Sequence, residues 1–309
     1  MIQTFDLTLP HGITLSCRAA GETGRPVLLF LHGFPEAAFV WDVLLAHFAL
    51  PEHGSFRCVA PNLRGFERSS APTEVAAYRA KPLVQDLRAL IEAITQDSPS
   101  PGQLAGLVAH DWGGALAWSL AAQGAALMRQ LAILNAPHPA TFARELTHSA
   151  TQQASSAYMN FLARPDAAEL LAENDFARLW PFFTAMAADR GPAAWLDEST
   201  RERYRAVWRQ GLRGGCAYYA ASPLRPATTL DPGAAAVDIP REKAEVRVPT
   251  LVIWGLGDTA LPVALLDGLE DYVPDLRIER VPDATHWIVH EQPQKVAALL
   301  GAFLAQSLP

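Results

Sequence analysis

The chain has 309 residues, 50% of them hydrophobic and 18% charged, with a formal net charge of −7. This composition provides a large apolar core and excludes a disordered chain. No run of like charge is long enough for a nucleic-acid or membrane-surface patch, so no nucleic-acid partner is expected.

From the N-terminus, residues 2–9 and 13–20 read as two strands joined at Pro10, His11 and Gly12. No basic segment followed by an apolar stretch opens the chain, and no apolar run approaches the roughly 20 residues of a membrane span. Cys17, Cys58 and Cys216 are odd in number and lack a C-x-x-C pair. They form neither a disulfide framework nor a zinc site, and read as free thiols in a reducing cytoplasm. A soluble, cytoplasmic protein is therefore expected.

Val27–Leu31 is a short continuous apolar run, which suits a strand buried on both faces of a parallel sheet. Similar runs follow at Phe56–Ala60, Leu104–Ala109, Gln130–Leu134 and Thr250–Trp254. Helical periodicity lies between them at 83–96 and 113–123 and returns at 293–305. Strand and helix in alternation predict an α/β fold with a mostly parallel, doubly wound sheet. The alternation stops between about 137 and 245. Aromatic-rich helical segments occupy Tyr158–Leu162, Phe176–Ala187, Trp195–Gly211 and Cys216–Ala220, before an irregular stretch rich in Pro, Ala and Gly from Pro223 to Pro240. The expected organisation is a core of 1–136 and 246–309, with a mostly helical cap, 137–245, inserted after the sixth strand.

The first chemical signal is at Ala109-His110-Asp111-Trp112-Gly113, where an apolar strand turns straight into a helical pattern. This is a strand-to-helix elbow with small flanking residues, and aspartate stands where serine is usual. Small residues are needed because the sharp turn brings neighbouring backbone close. The helix N-terminus favours negative charge on the raised side chain. Alone, Asp111 reads equally well as a helix N-cap. Its context decides otherwise. His32-Gly33-Phe34-Pro35-Glu36 follows the Val27–Leu31 strand, where a glycine turn can offer an oxyanion-binding amide. The candidate donors are the main-chain N–H groups of Phe34 and Trp112. Asp258 closes Trp254-Gly255-Leu256-Gly257-Asp258 after the Thr250–Trp254 strand, and His286 precedes the last helix. Nucleophile 111, acid 258 and histidine 286 follow the triad order of the α/β-hydrolase fold. His32 and His110 read as turn supports. No metal or organic cofactor has an assigned task.

These segments resemble the soluble α/β-hydrolase-fold epoxide hydrolases. The resemblance rests on HGFPE at 32–36, HDWGG at 110–114, LNAPHP at 134–139, WGLGD at 254–258 and THW at 285–287, with 28 residues between Asp258 and His286. It covers nearly the whole chain and is weakest from about 222 to 245. It implies two cap tyrosines that protonate or hydrogen-bond the epoxide oxygen. Tyr158, ahead of Pro165, is similar to the first. Cys216-Ala217-Tyr218-Tyr219 is similar to the motif of the second, with register favouring Tyr219 over Tyr218. The family's Asp-x-Arg-Gly-Tyr-Gly segment is Asn62-Leu63-Arg64-Gly65-Phe66-Glu67 here, a departure that bears on local loop geometry.

The chemistry implied is displacement at a saturated carbon. Asp111 opens the ring and forms an ester, which His286, oriented by Asp258, hydrolyses with water. A hydrophobic epoxide and water are the expected reactants. HGFP and HDWG are shared with haloalkane and haloacetate dehalogenases, so a hydrolytic dehalogenase using the same triad is the alternative. Haloalkane enzymes usually place asparagine or tryptophan at the Phe34 position, and haloacetate enzymes place arginine at the Trp112 position. Neither occurs here. A third reading is a catalytically idle binding protein on this fold. Such proteins usually lose a triad member, and none is missing.

Overall fold

The computed structural model describes residues 1–185 and 193–305. Strands β1 (Gln3–Thr8), β2 (Thr14–Ala20) and β3 (Val27–Leu31) come first, then α1 (Asp42–Phe48) and β4 (Arg57–Pro61). Next are α2 (Ala80–Ile94), β5 (Gly106–His110), α3 (Asp111–Gln123) and β6 (Leu131–Leu134). Eight helices then intervene among the described residues: α4 (Pro139–His148), α5 (Ala150–Ser155), α6 (Tyr158–Leu162), α7 (Ala167–Phe176), α8 (Trp180–Thr184), α9 (Glu198–Trp208), α10 (Arg213–Ala221) and α11 (Arg241–Ala244). The sheet resumes with β7 (Thr250–Gly255) and β8 (Leu276–Val281), and α12 (Ile288–Glu291) and α13 (Pro293–Leu304) follow.

The eight strands form one sheet in the order β1-β2-β4-β3-β5-β6-β7-β8. The β1–β2 and β2–β4 pairs are antiparallel, and every later pair is parallel. This is the α/β-hydrolase fold expected from the alternation. Every residue of β3, β5, β6 and β7 is buried, which explains their unbroken apolar runs. Helix α2 shows the complementary pattern. Leu83, Val84, Leu87, Leu90 and Ile91 are buried along one face, at helical spacing.

Strand β8 is absent from the sequence reading. Among the described residues it pairs only with β7, and Val281 alone of its six residues is fully buried. As an edge strand it carries Arg277, Glu279 and Arg280 and shows no apolar run. Among the inserted helices, Tyr158–Leu162 forms as expected. The segment expected at Phe176–Ala187 does not form one helix, and its last two residues lie outside the described residues. It is divided between the last residue of α7, Phe176, whose φ is 61°, and α8, with a turn at 177–179 between them. The segment expected from Trp195 begins its helix only after Asp197, whose carboxylate caps it by accepting from the Thr200 N–H at 2.7 Å.

The parallel strands place four motif segments side by side. Phe34 follows β3, Asp111 follows β5, Asn135 follows β6 and Asp258 follows β7. The carboxyl ends of such strands form the crevice where α/β folds gather their ligand-binding groups.

Candidate active site

Asp111 is the first residue of α3 and has a φ of 50°, a left-handed conformation that costs a non-glycine residue about 1–3 kcal/mol. Close packing holds it there. A side chain at Gly33 would overlap the Asp111 carboxylate, and one at Gly113 would come within 2.5 Å of the Leu31 carbonyl oxygen. The Phe34 N–H donates to Asp111 Oδ1 at 2.8 Å. Trp112 lies in the first turn of α3, where main-chain N–H groups have no partner within the helix. Of the two amides proposed for the oxyanion hole, that of Phe34 thus lies on the carboxylate, and that of Trp112 follows Asp111 in the chain.

The three triad positions come together. His286 Nδ1 contacts Asp258 Oδ2 at 2.7 Å, and its Nε2 lies 3.6 Å from Asp111 Oδ2. Burial disfavours a charged His286, but the Asp258 and Asp111 carboxylates outweigh it and push its pKa up to about 10. Burial likewise disfavours the Asp111 charge. Hydrogen bonding and charge from His286, with help from His110 and the Phe34 N–H, overcome that and hold the carboxyl below its ordinary value. Both shifts favour a charged Asp111 carboxylate beside a protonated His286.

Two tyrosines face this pair. Tyr158 begins α6 and Tyr219 lies on α10, with ring centroids 6.1 Å apart. Burial raises both hydroxyls above the usual tyrosine value, and the Asp111 charge adds to both shifts. Both remain neutral O–H donors at physiological pH. Tyr218 points elsewhere, its hydroxyl donating to the Arg64 carbonyl at 3.0 Å. Asp111, Tyr158 and Tyr219 line two cavities at once. One, of about 70 Å³, is walled by Pro137, Phe142, Met159 and Leu224. The other, of about 260 Å³, is walled by Phe182, Thr259, His286 and Trp287. A larger cleft of about 540 Å³, between α1 and α13, holds none of these catalytic candidates.

His32 and His110 sit as turn supports. His32 Nδ1 lies 2.8 Å from the Gly33 carbonyl, and Nε2 accepts from the Leu63 N–H at 3.0 Å. Those partners require a neutral ring with hydrogen on Nδ1, and burial lowers its pKa to about 4. His110 Nε2 faces the His286 carbonyl at 2.8 Å, tying the elbow to the histidine loop. Asn62 and Glu67, the departures noted above, compensate for one another. The Asn62 amide donates to Glu67 Oε2 at 3.0 Å, and its Oδ1 accepts from the Ala38 N–H.

Other supporting residues had no assigned role in the sequence. Asn135 donates to Asp258 Oδ2 at 2.8 Å and accepts from the Gly255 N–H at 2.9 Å, fixing the acid from the end of β6. Asp258 Oδ1 also accepts from the Ala260 and Leu261 N–H groups. Glu36 is fully buried. Its Oε1 accepts from Tyr204 at 2.8 Å and meets His290 Nε2 at 2.7 Å, while Oε2 lies 3.2 Å from His110 Nδ1. Burial opposes its charge, but His110 and His290 hold its carboxyl well below the ordinary range. Asn135 and Glu36 stand inside LNAPHP and HGFPE, so the only signal for them was membership of a motif.

A family model described as the α/β-hydrolase fold matches residues 26–293. The chain is 31% identical to epoxide hydrolase 3 of Xenopus tropicalis over 298 residues, 96% of this chain and 76% of the relative. The chain belongs to the α/β-hydrolase-fold epoxide hydrolase family. It is also 31% identical to the AB hydrolase superfamily protein YfhM of Bacillus subtilis, with 95% of each chain covered. The crystal structure of Bacillus megaterium epoxide hydrolase in complex with an inhibitor matches with a TM-score of 0.85 at 28% identity, over 97% of this chain and 100% of that one. A structure from a set of epoxide hydrolases found in metagenomes of hot environments gives 0.84 at 35% identity, over 98% and 99%. In this epoxide hydrolase family member, the family motifs follow β3, β5, β6, β7 and β8 and converge on one crevice. Among the described residues, no helix is long and apolar enough to cross a membrane.

Proposed function

We propose that the protein is an epoxide hydrolase that converts a hydrophobic epoxide and water to a vicinal diol through an ester on Asp111. The observation that carries this reading is one carboxylate facing two neutral tyrosine hydroxyls inside a mostly apolar cavity. A saturated carbon requires displacement, which a carboxylate performs while becoming an ester. Asp111 Oδ1 is held by the Phe34 amide, so Oδ2 attacks. The carbon–oxygen bond of the ring breaks, and the departing oxygen takes a proton from Tyr158 or Tyr219.

The same electrostatics support the second step. Ester formation cancels the Asp111 charge, one of the two carboxylates that raise the His286 pKa. His286 then loses its proton, which replaces the one given by tyrosine. Neutral Nε2 takes a proton from water as that water attacks the Asp111 carboxyl carbon. Asp258 steadies Nδ1–H, and the Phe34 and Trp112 amides hold the oxyanion. Collapse releases the diol with the proton from His286, and the proton left on Asp111 returns to His286.

In this reading, residues 1–136 and 246–309 are the catalytic core and 137–245 the cap that supplies Tyr158 and Tyr219. The working compartment is the cytoplasm, in keeping with three buried, free cysteines. The test is a side-by-side screen of styrene-type epoxides and organohalides. Diol from the epoxides is expected. Halide release without diol formation would make the protein a dehalogenase, and no turnover of either would leave a binding protein.

A further inference from the structure

Tyr218 and Tyr219 are neighbours on α10, about 100° apart around a helix of 3.6 residues per turn, and serve different surroundings. Tyr219 faces the cavity, whereas Tyr218 is 1% exposed and packs edge-on against Phe66 and Trp112, at 5.4 and 5.5 Å between centroids. Its hydroxyl donates to the Arg64 carbonyl, and that carbonyl belongs to a rigid shelf on the core. Arg64 Nε and Nη2 donate to the two oxygens of Asp86 at 2.8 and 2.6 Å, and Nη1 donates to the Ala77 carbonyl. Asp86 also meets His11 Nε2 at 2.6 Å. The Arg64 and Asp86 side chains are 6% and 5% exposed, so this bidentate pair is little screened by water. Beside it the two backbones touch. A side chain at Gly214 of α10 would overlap the main chain of Gly65, which has a φ of 86°. Helix α10 therefore rests directly on the shelf, and the Tyr218 hydroxyl is hydrogen-bonded to it.

We propose that Tyr218 is a positioning residue for ring opening: its hydrogen bond to the Arg64 carbonyl fixes the rotation of α10 and so aims the Tyr219 hydroxyl at the epoxide oxygen. The inference rests on the epoxide hydrolase reading above. Misplacing a reacting group by about 1 Å can cost on the order of 10²-fold in rate. A lost rotational anchor therefore reaches the chemistry without touching substrate.

The test follows ester formation and ester decay separately, by rapid quench and intact mass, in Tyr218→Phe, Tyr219→Phe and the double variant. Tyr218→Phe keeps the ring and removes only the donated hydrogen bond. Ester formation is expected to slow about tenfold or more, within that positional limit, with ester decay unchanged. Adding Tyr218→Phe to Tyr219→Phe is expected to change ester formation no further, because the hydroxyl being aimed is already absent. Ester formation at the parent rate in Tyr218→Phe, or effects that multiply in the double variant, would overturn the proposal. Arg64→Lys loosens the shelf while keeping Tyr218, and carries the same test if Tyr218→Phe does not fold. Its slowing should also vanish in the Tyr219→Phe background, and a slowing that persists there counts against the proposal. If no ester forms in the parent protein, the epoxide hydrolase reading itself fails. If Tyr219→Phe reacts normally, its role as acid fails and the positioning role with it.

Discussion

The floor and the roof of the cavity are held by different forces. On the floor, Asp111 is fixed by main chain: the Phe34 N–H, the Gly33 turn and the close approach of Gly113 to β3. On the roof, Tyr158 and Tyr219 sit on helices of five and nine residues and are held largely by ring edges. Tyr158 meets Phe182 at 5.6 Å, and Tyr219 meets Phe34 at 5.3 Å and Trp112 at 5.1 Å. Each such aromatic contact contributes about 0.5–1.5 kcal/mol beyond burial. The floor has one geometry, set by backbone that no side-chain change can replace. The roof also has one backbone contact, Gly214 against Gly65, but its tyrosine rings are held by many modest contacts and tolerate graded change.

Substitutions on the floor should accordingly act all or none. Asp111→Asn, freshly prepared, should lose diol formation while keeping its circular dichroism spectrum, because an amide is a poor nucleophile. Near-normal turnover in that variant would remove Asp111 from the mechanism. Gly33→Ala should be almost as severe, since the new methyl group overlaps the carboxylate. An active Gly33→Ala enzyme would mean the floor yields more than its packing implies.

Changes on the roof should be graded. Tyr158→Phe and Tyr219→Phe should each slow ring opening by roughly 10²–10⁴-fold, the range of general acid catalysis, and the double variant should be much slower than either. Parent-rate opening by the double variant would make the roof mere packing.

The smallest expected effect sharpens the comparison by titration. The Asp258 and Asp111 carboxylates push the His286 pKa up to about 10, against an ordinary 6.5. Its ion pairs therefore stabilise the fold fully below pH about 6.5, and that contribution disappears as pH rises through about 10. In Asp111→Asn one carboxylate is gone, so the NMR titration midpoint of His286 should fall below the parent value. An unchanged midpoint would show that Asp258 alone sets it and that ester formation cannot release the proton.

The same contrast explains what was legible in the sequence. Strands β3 to β7 announce themselves as apolar runs because both faces are buried, and the elbow announces itself because its geometry admits few residue types. Edge strand β8 carries charge on its open side and reads as a loop. In the inserted helices, a turn at 177–179 and a late start at Glu198 interrupt segments that look periodic. The convergence of positions 111, 258 and 286 was legible from chain order. Asn135 was not, because its role exists only through a contact with Asp258, 123 residues away. Glu36 meets Tyr204 across 168 residues for the same reason. The preference for Tyr219 over Tyr218 came from the register of the motif, and the structure turns Tyr219 to the cavity and Tyr218 to the Arg64 carbonyl.

The central claim, a covalent ester on Asp111, is tested most directly with His286→Gln. Ring opening needs Asp111 and the tyrosines, and only the second step needs the base. After mixing with an epoxide, the intact mass of His286→Gln should rise by one whole epoxide, and peptide mapping should place the adduct on Asp111. An unmodified His286→Gln protein that still forms diol, or an adduct on any other residue, would contradict the account.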